Sequence, residues 1–272
     1  IQRAAAYSAL GYREWALRDL DKAIRADPKA HAALFRRALL YLEKSQPADA
    51  QSDFKAAAAL DPANAEYLVQ LGLVCLRRND NASAHQHCKK AVEIAPGMPA
   101  AHVALGRASL AAKDLAGARS AFDRAIQLAS NDAEARVYRG QLFLEEGQFE
   151  DAVADFGKAI EVSPRNAEAY RGRGLARLAR GQLDDATSDL REAAGLRPEW
   201  RSDLDDSLKA VGRSVVVEPQ SSPARNMLKS ARAMLQLGKT SGAKTVIGLA
   251  VKQDPSLKQE ADELLREFGV EP

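Results

Sequence analysis

The chain has 272 residues, with 39 Lys plus Arg against 37 Asp plus Glu and a formal net charge of +2. That balance argues against a strong electrostatic pull toward nucleic acid or acidic membranes, and no run of about 18 apolar residues supplies a membrane span. Two cysteines cannot build a disulfide framework or a four-thiolate zinc site, and alanine at close to a fifth of the residues points to closely packed helices rather than sheets.

The sequence opens on Ile1-Gln2-Arg3, without Met, signal peptide or basic transit segment, and Ile1 falls inside a predicted helix. The chain is therefore expected to be a piece of a longer polypeptide, and its localisation stays unassigned. From there a period of 34 governs the elements. Pro28, Pro62 and Pro96 lie 34 apart, Ser130 takes the next place, and Pro164 and Pro198 complete the series.

With that residue numbered position 32, position 20 is Ala16, Ala50, Ala84, Ala118, Ala152 and Ala186. Position 27 is alanine in all six copies, position 8 is Ala4, Ala38, Gly72, Gly106, Gly140 and Gly174, and position 24 is Leu20, Phe54, Cys88, Phe122, Phe156 and Leu190. Each unit reads as two antiparallel helices. Small residues at 8 and 20 let them approach, and proline at 32 stops the second one. Position 15, the turn, is Gly11, Asn79, Gly147 and Gly181, residues that tolerate a left-handed backbone; Ser45 and Lys113 depart from that pattern. A displaced seventh copy places Ala231, Gly238, Ala243, Ile247, Ala250 and Pro255 at positions 8, 15, 20, 24, 27 and 32.

Position 7 is Arg3, Arg37, Arg139 and Arg173 in four repeats, and position 23 of those same repeats is Asp19, Asp53, Asp155 and Asp189. Where position 7 is Leu71 or Leu105, position 23 is His87 or Ala121. Arg and Asp come and go together, so they are read as structural pairs, within a unit or between neighbours, rather than as a nucleic-acid stripe.

This pattern resembles the tetratricopeptide repeat (TPR) family, with about seven repeats over nearly the whole chain. The resemblance implies an all-α fold, an α-solenoid in which antiparallel helix pairs wind into a right-handed superhelix. Six contiguous units are expected over 1–198, the first truncated. A helix at 199–213, with Trp200, Leu204, Leu208 and Val211 on one stripe, is expected to cap the sixth unit. A linker at 214–223 and a seventh unit plus C-terminal helix at 224–268 complete the chain, with the packing of this tail on the array left open.

The search for chemistry finds no Walker A loop, nucleophile elbow or H-E-x-x-H, so no catalytic residue, metal site or cofactor is expected. Asn81-Ala82-Ser83 is a formal glycosylation acceptor but reads as a helix cap. His85, His87, Cys75 and Cys88 read as core thiols beside solvated histidines, against a metal site or a redox-sensitive pair. His85 and His87 diverge on a helix. The basic run Arg171, Arg173, Arg177 and Arg180 reads as paired and solvated, against an anionic partner.

The resemblance implies that the first helix of each unit lines a concave groove holding a peptide or partner helix. By analogy the contact set is Arg36, Gln70, Arg77, Arg107, Tyr138, Gln141, Glu145 and Arg171, over a floor including Leu39, Leu73, Leu144 and Leu178. Glu66, Glu134 and Glu168 read instead as stabilisers of helix N-termini. The Lys/Asn clamp of co-chaperones that grip heat-shock protein C-termini is absent, as is an Asn ladder at position 6. The expected function is a non-catalytic scaffold or adaptor that binds a protein or peptide partner. The alternative is a regulatory or substrate-recruiting domain of a larger enzyme or secretion machine.

Overall fold

The computed structural model describes residues 1–200 and 223–271, and its described regular elements are all helical. Two compact units divide the chain, residues 1–130 and 131–272. In the first, α1 (Gln2–Ala9) pairs with α2 (Arg13–Ala26), α3 (His31–Glu43) with α4 (Pro47–Leu60), α5 (Ala65–Arg77) with α6 (Asn81–Ile94), and α7 (Pro99–Ala111) with α8 (Leu115–Leu128). In the second, α9 (Ala133–Glu145) pairs with α10 (Phe149–Val162), α11 (Ala167–Ala179) with α12 (Leu183–Leu196), and α13 (Pro223–Gln236) with α14 (Thr240–Gln253), before the terminal α15 (Lys258–Glu267). The expected capping helix and linker lie outside the described residues over 201–222; Pro198–Trp200 form a 3-10 turn, and Pro223, expected to end the linker, begins α13.

The alternation of small and large residues decides how the pairs close. Phe54, Phe122 and Phe156 are fully buried, as are Leu20 at 1% and Leu190 at 0% exposed. Phe122 lies where a Cβ on Gly106 would collide with its ring, and Cys88 Sγ does the same to Gly72. The glycines at position 8 are thus set by the side chain at position 24 of the same unit. Phe156 is held from both sides, by Gly140 of its own unit and Gly172 of the next.

Each pair turns the same way. At the first, Gly11 N–H donates to Ser8 O and Tyr12 N–H to Tyr7 O; at the second, Ser45 N–H donates to Leu42 O and Gln46 N–H to Tyr41 O. This double bond pattern, a Schellman motif, recurs at 79–80, 113–114, 147–148, 181–182 and 238–239. It requires a left-handed residue, which Gly11, Gly147, Gly181 and Gly238 supply at φ between 70° and 80°. Ser45 and Lys113, the two departures in sequence, adopt φ 57° and 61° all the same. A side chain there is strained, so Lys113→Gly is expected to raise stability by about 0.5–1 kcal/mol, read as an increase in the urea midpoint with unchanged slope.

Glu66, Glu134 and Glu168 occupy the first turns of their helices, as expected. The cap of α6 is Asp80, not the glycosylation-like Asn81: the Asp80 carboxylate accepts from Ser83 N–H at 3.2 Å, while Asn81 Nδ2 donates to Ala111 O. Hydrogen bonding from the Ser83 side chain first, and from its N–H second, favours the ionised form, so Asp80 is held below the usual carboxylate range.

All four Arg–Asp pairs close, and they do so within one unit. Arg3, Arg37, Arg139 and Arg173 each donate from Nε and a terminal nitrogen to both oxygens of Asp19, Asp53, Asp155 and Asp189, at 2.6–2.9 Å. Asp53, Asp155 and Asp189 are buried, at 6%, 4% and 3% exposed. Arg37 also reaches Asp21 of the preceding unit at 2.8 Å, tying neighbours together. Its bonds to Asp53 hold the Arg37 guanidinium still more firmly in its charged form, as Asp189 does for Arg173.

Candidate functional site

The candidate residues lie on the faces of the first helices, and the two units place them differently. In residues 1–130, Arg36 is exposed on α3, Gln70 half-buried and Arg77 exposed on α5, and Arg107 half-buried on α7. A cavity of about 110 Å³ lies between α1 and α3, where Ala4, Ala5 and Ser8 leave room beside Arg36 and Leu39. Glu43 lines it too, its carboxylate taking Arg13 Nε at 2.7 Å. The small residues of α1 make this recess, because larger side chains would fill it.

In residues 131–271 the same face is partly covered by the chain itself. The hairpin of α13 and α14 packs on α11 and α9. Ser241 Oγ donates to Glu145 O at 3.2 Å, and Thr245 meets the turn at Gly147, where a Cβ would collide with its methyl. A Cβ on Gly242 would stand 3.2 Å from Leu144 O, so this glycine lets α14 lie against the end of α9. Leu144, Leu175 and Leu178 consequently share one apolar cluster with Leu228, Met234 and Leu235. The leucines expected as open floor, Leu144 and Leu178, are instead 6% and 0% exposed. The hairpin supplies the apolar surface that covers them.

Beyond the hairpin contact, Tyr138, Gln141, Glu168 and Arg171 line a cavity of about 270 Å³ that Trp200 and Lys239 also border. Glu145 sits in the adjoining cavity on the other side of Lys239. Three arginines of the basic run are paired as read from the sequence: Arg173 and Arg177 with Asp189, and Arg180 with Glu150. Arg171 differs. Its guanidinium stacks over Trp200 at 5.2 Å, and its Nε is the buried side-chain nitrogen left without a hydrogen-bond partner among the described residues.

Lys239 is the functional candidate that the sequence reading missed. Burial lowers its pKa first, the Arg171 charge adds to that, and Glu145 opposes it. A signal was present. Position 16 precedes the second helix and is Tyr12, Gln46, Asp80, Asp114, Gln148 or Gln182 in the other copies, and a lysine at a helix N-terminus opposes the macrodipole. With the folded pKa depressed, the unfolded chain holds the proton longer, so the penalty from this group falls as pH rises through the folded value toward about 10.4. Lys239→Met is expected to abolish that contribution, seen as a difference from wild type in thermal midpoints between pH 7 and pH 9.5.

Cys75 and Cys88 are buried free thiols, and burial pushes Cys88 up to about 12 and raises Cys75. Thiols so held are poor nucleophiles. His85 and His87 are half-buried, and burial lowers the pKa of His87. Among the described residues no group of three His, Cys, Asp or Glu side chains converges as a metal site.

Comparison with known proteins agrees with this architecture. Three family profiles match, two described as "Tetratricopeptide repeat", over residues 35–99 and 76–141, and one as "TPR repeat", over 140–181. No match was found among curated proteins. Among solved structures, the chain is similar to TTC0263, a thermophilic TPR protein of Thermus thermophilus, with TM-score 0.57, 20% identity, and 70% of this chain and 100% of that one covered. It is similar to PilF of Pseudomonas aeruginosa, with TM-score 0.62, 23% identity, and 72% and 90% covered. A tetratricopeptide repeat protein of Parabacteroides merdae ATCC 43184 matches with TM-score 0.60, 16% identity, and 98% and 96% covered. At these identities the three show the fold alone. The 34-residue period, the recurrent turn and these matches together establish that the chain belongs to the tetratricopeptide-repeat family, whose repeats are protein–protein interaction scaffolds.

Proposed function

We propose that the chain binds an extended peptide or partner segment along its first-helix faces, with Arg36, Gln70, Arg77 and Arg107 as the contact set in residues 1–130. Tyr138, Gln141, Glu145 and Arg171 would form a second subsite in residues 131–271. The observation that carries the reading is that both units hold a cavity between consecutive first helices, bordered by candidate residues. Arginine and tyrosine suit such a surface because each joins a broad apolar or planar body to fixed hydrogen-bond donors. Arg36 and Arg77 are exposed, so a partner would meet them without displacing the repeat core.

Affinity capture tests this with matched variants. Arg36→Glu combined with Arg77→Glu is expected to remove the bound partner, whereas Lys89→Glu with Arg124→Glu, on the second helices, is expected to leave it. Retention of the same partner by the first pair would overturn the assignment.

A further inference from the structure

We propose that the cavity bordered by α9, α11 and the hairpin turn is a carboxylate-binding site that receives an acidic peptide segment. The inference deepens the reading above and rests on it for the peptidic nature of the ligand; the anion preference stands on the cavity's own groups.

Two cationic side chains border one cavity. Arg171 comes from the first helix of the sixth unit and Lys239 from the turn between α13 and α14. Neither forms an ion pair among the described residues, unlike Arg173, Arg177 and Arg180 nearby. Arg171 Nε lies buried without a partner among the described residues, an arrangement that costs free energy. The two charges border the same cavity and repel, and a bound anion would relieve that repulsion.

The geometry favours a planar anion. The guanidinium groups of Arg171 and Arg197 both approach the Trp200 ring, at 5.2 and 5.1 Å, and stacking fixes the plane in which Arg171 presents its donors. A fork so held matches the two oxygens of a carboxylate. Glu168 borders the cavity and Glu145 the adjoining one, and both are exposed, so solvent screens them. Tyr138 and Gln141 supply phenol and amide groups on the same wall, suited to the backbone of a peptide.

The hairpin completes the site. Without it, Arg171 would face an open helix surface. Ser241 on Glu145 O and Thr245 against Gly147 fix the turn that carries Lys239. The site is therefore a property of the seventh unit's placement, not of the repeat pattern alone.

Trp15 and Trp200 are the two tryptophans of the chain, so a Trp15→Phe variant leaves Trp200 as the sole reporter. The probes are N-acetylated triglutamate as its C-terminal amide, the same peptide with a free C-terminal carboxylate, N-acetylated triglutamine amide, and inorganic phosphate. Saturable changes in Trp200 emission are expected with both acidic peptides and with neither other probe. Tighter binding of the free-acid peptide assigns the site to a chain end, and equal binding to a side chain. Arg171→Gln and Lys239→Gln are each expected to weaken binding by about tenfold, as for loss of one charge-assisted contact, while Lys89→Gln, on the exposed face of α6, leaves it unchanged. Circular dichroism and thermal midpoints confirm that the variants are folded. No saturable response to either acidic peptide, an equal response to triglutamine or phosphate, or unchanged affinity in the Arg171 and Lys239 variants would overturn the proposal. Because no protein partner enters the titration, a positive result alongside failed partner capture retains the site and refutes the scaffold reading. The opposite pattern does the reverse.

Discussion

Phe156→Ala is expected to destabilise the second unit by about 3–5 kcal/mol, the range for deleting a buried aromatic ring. The ring is fully buried, and Gly140 and Gly172 touch it from two successive repeats. Neither glycine has a side chain able to swing into the space, so the cavity persists. In a repeat array each unit is stabilised by its neighbours, so the loss reaches both the fifth and the sixth units. Urea unfolding in the Trp15→Phe background, followed by Trp200 emission, is the measurement, with a lower midpoint expected in the variant. A shift below about 1 kcal/mol would show that the two repeats do not share this ring as a common core element.

Asp155→Ala is the second large effect. The carboxylate accepts from Arg139 at 2.6 and 2.7 Å and from Arg136 at 3.4 Å, and only 4% of the residue is exposed. Truncation leaves guanidinium groups in a largely enclosed site, and removing one partner of such a pair costs about 3–5 kcal/mol. The double variant Arg139→Met/Asp155→Leu is expected to recover most of the loss, since it removes both charges and retains volume. Asp19→Ala provides the contrast. Its pair with Arg3 has the same two-bond geometry, but the Arg3 side chain is 68% exposed, so water replaces the missing partner and the loss is much smaller. Equal losses at the two sites would show that the geometry of the pair, rather than its burial, sets its contribution.

These two cases also show which parts of the molecule were legible in the sequence. Arg and Asp sixteen residues apart, present together or absent together, carry their own evidence of pairing, because each requires the other at a fixed place in the repeat. Glycine opposite phenylalanine is legible for the same reason: the volumes are complementary within one unit. Local signals also located the turns, although Ser45 and Lys113 show that the hydrogen-bond pattern imposes a left-handed backbone even where the residue opposes it.

The docking of the hairpin was not legible. Ala231, Ala243 and Ala250 obey the repeat as well as any earlier copy, but those positions specify how α13 meets α14, not where the pair goes. Pro255 follows Pro198 by 57 residues instead of 34, which marks the displacement without giving its destination. The destination is set by single contacts, Ser241 on a backbone carbonyl and Thr245 on a turn glycine, that leave no periodic trace. Among the candidate contact residues the same limit applies. A position in the repeat places Arg171 on the first-helix face, whereas its stacking on Trp200 and its approach to Lys239 depend on segments outside the array's register.

The central claim is that a partner lies along the first-helix face. Site-specific photo-crosslinking tests it most directly in the full chain. A benzophenone side chain placed at Gln70 on α5 should yield a discrete cross-linked partner, and the same group at the exposed Lys89 on α6 should not. Cross-linking from Lys89 with none from Gln70 would contradict the account and move the interaction to the second helices.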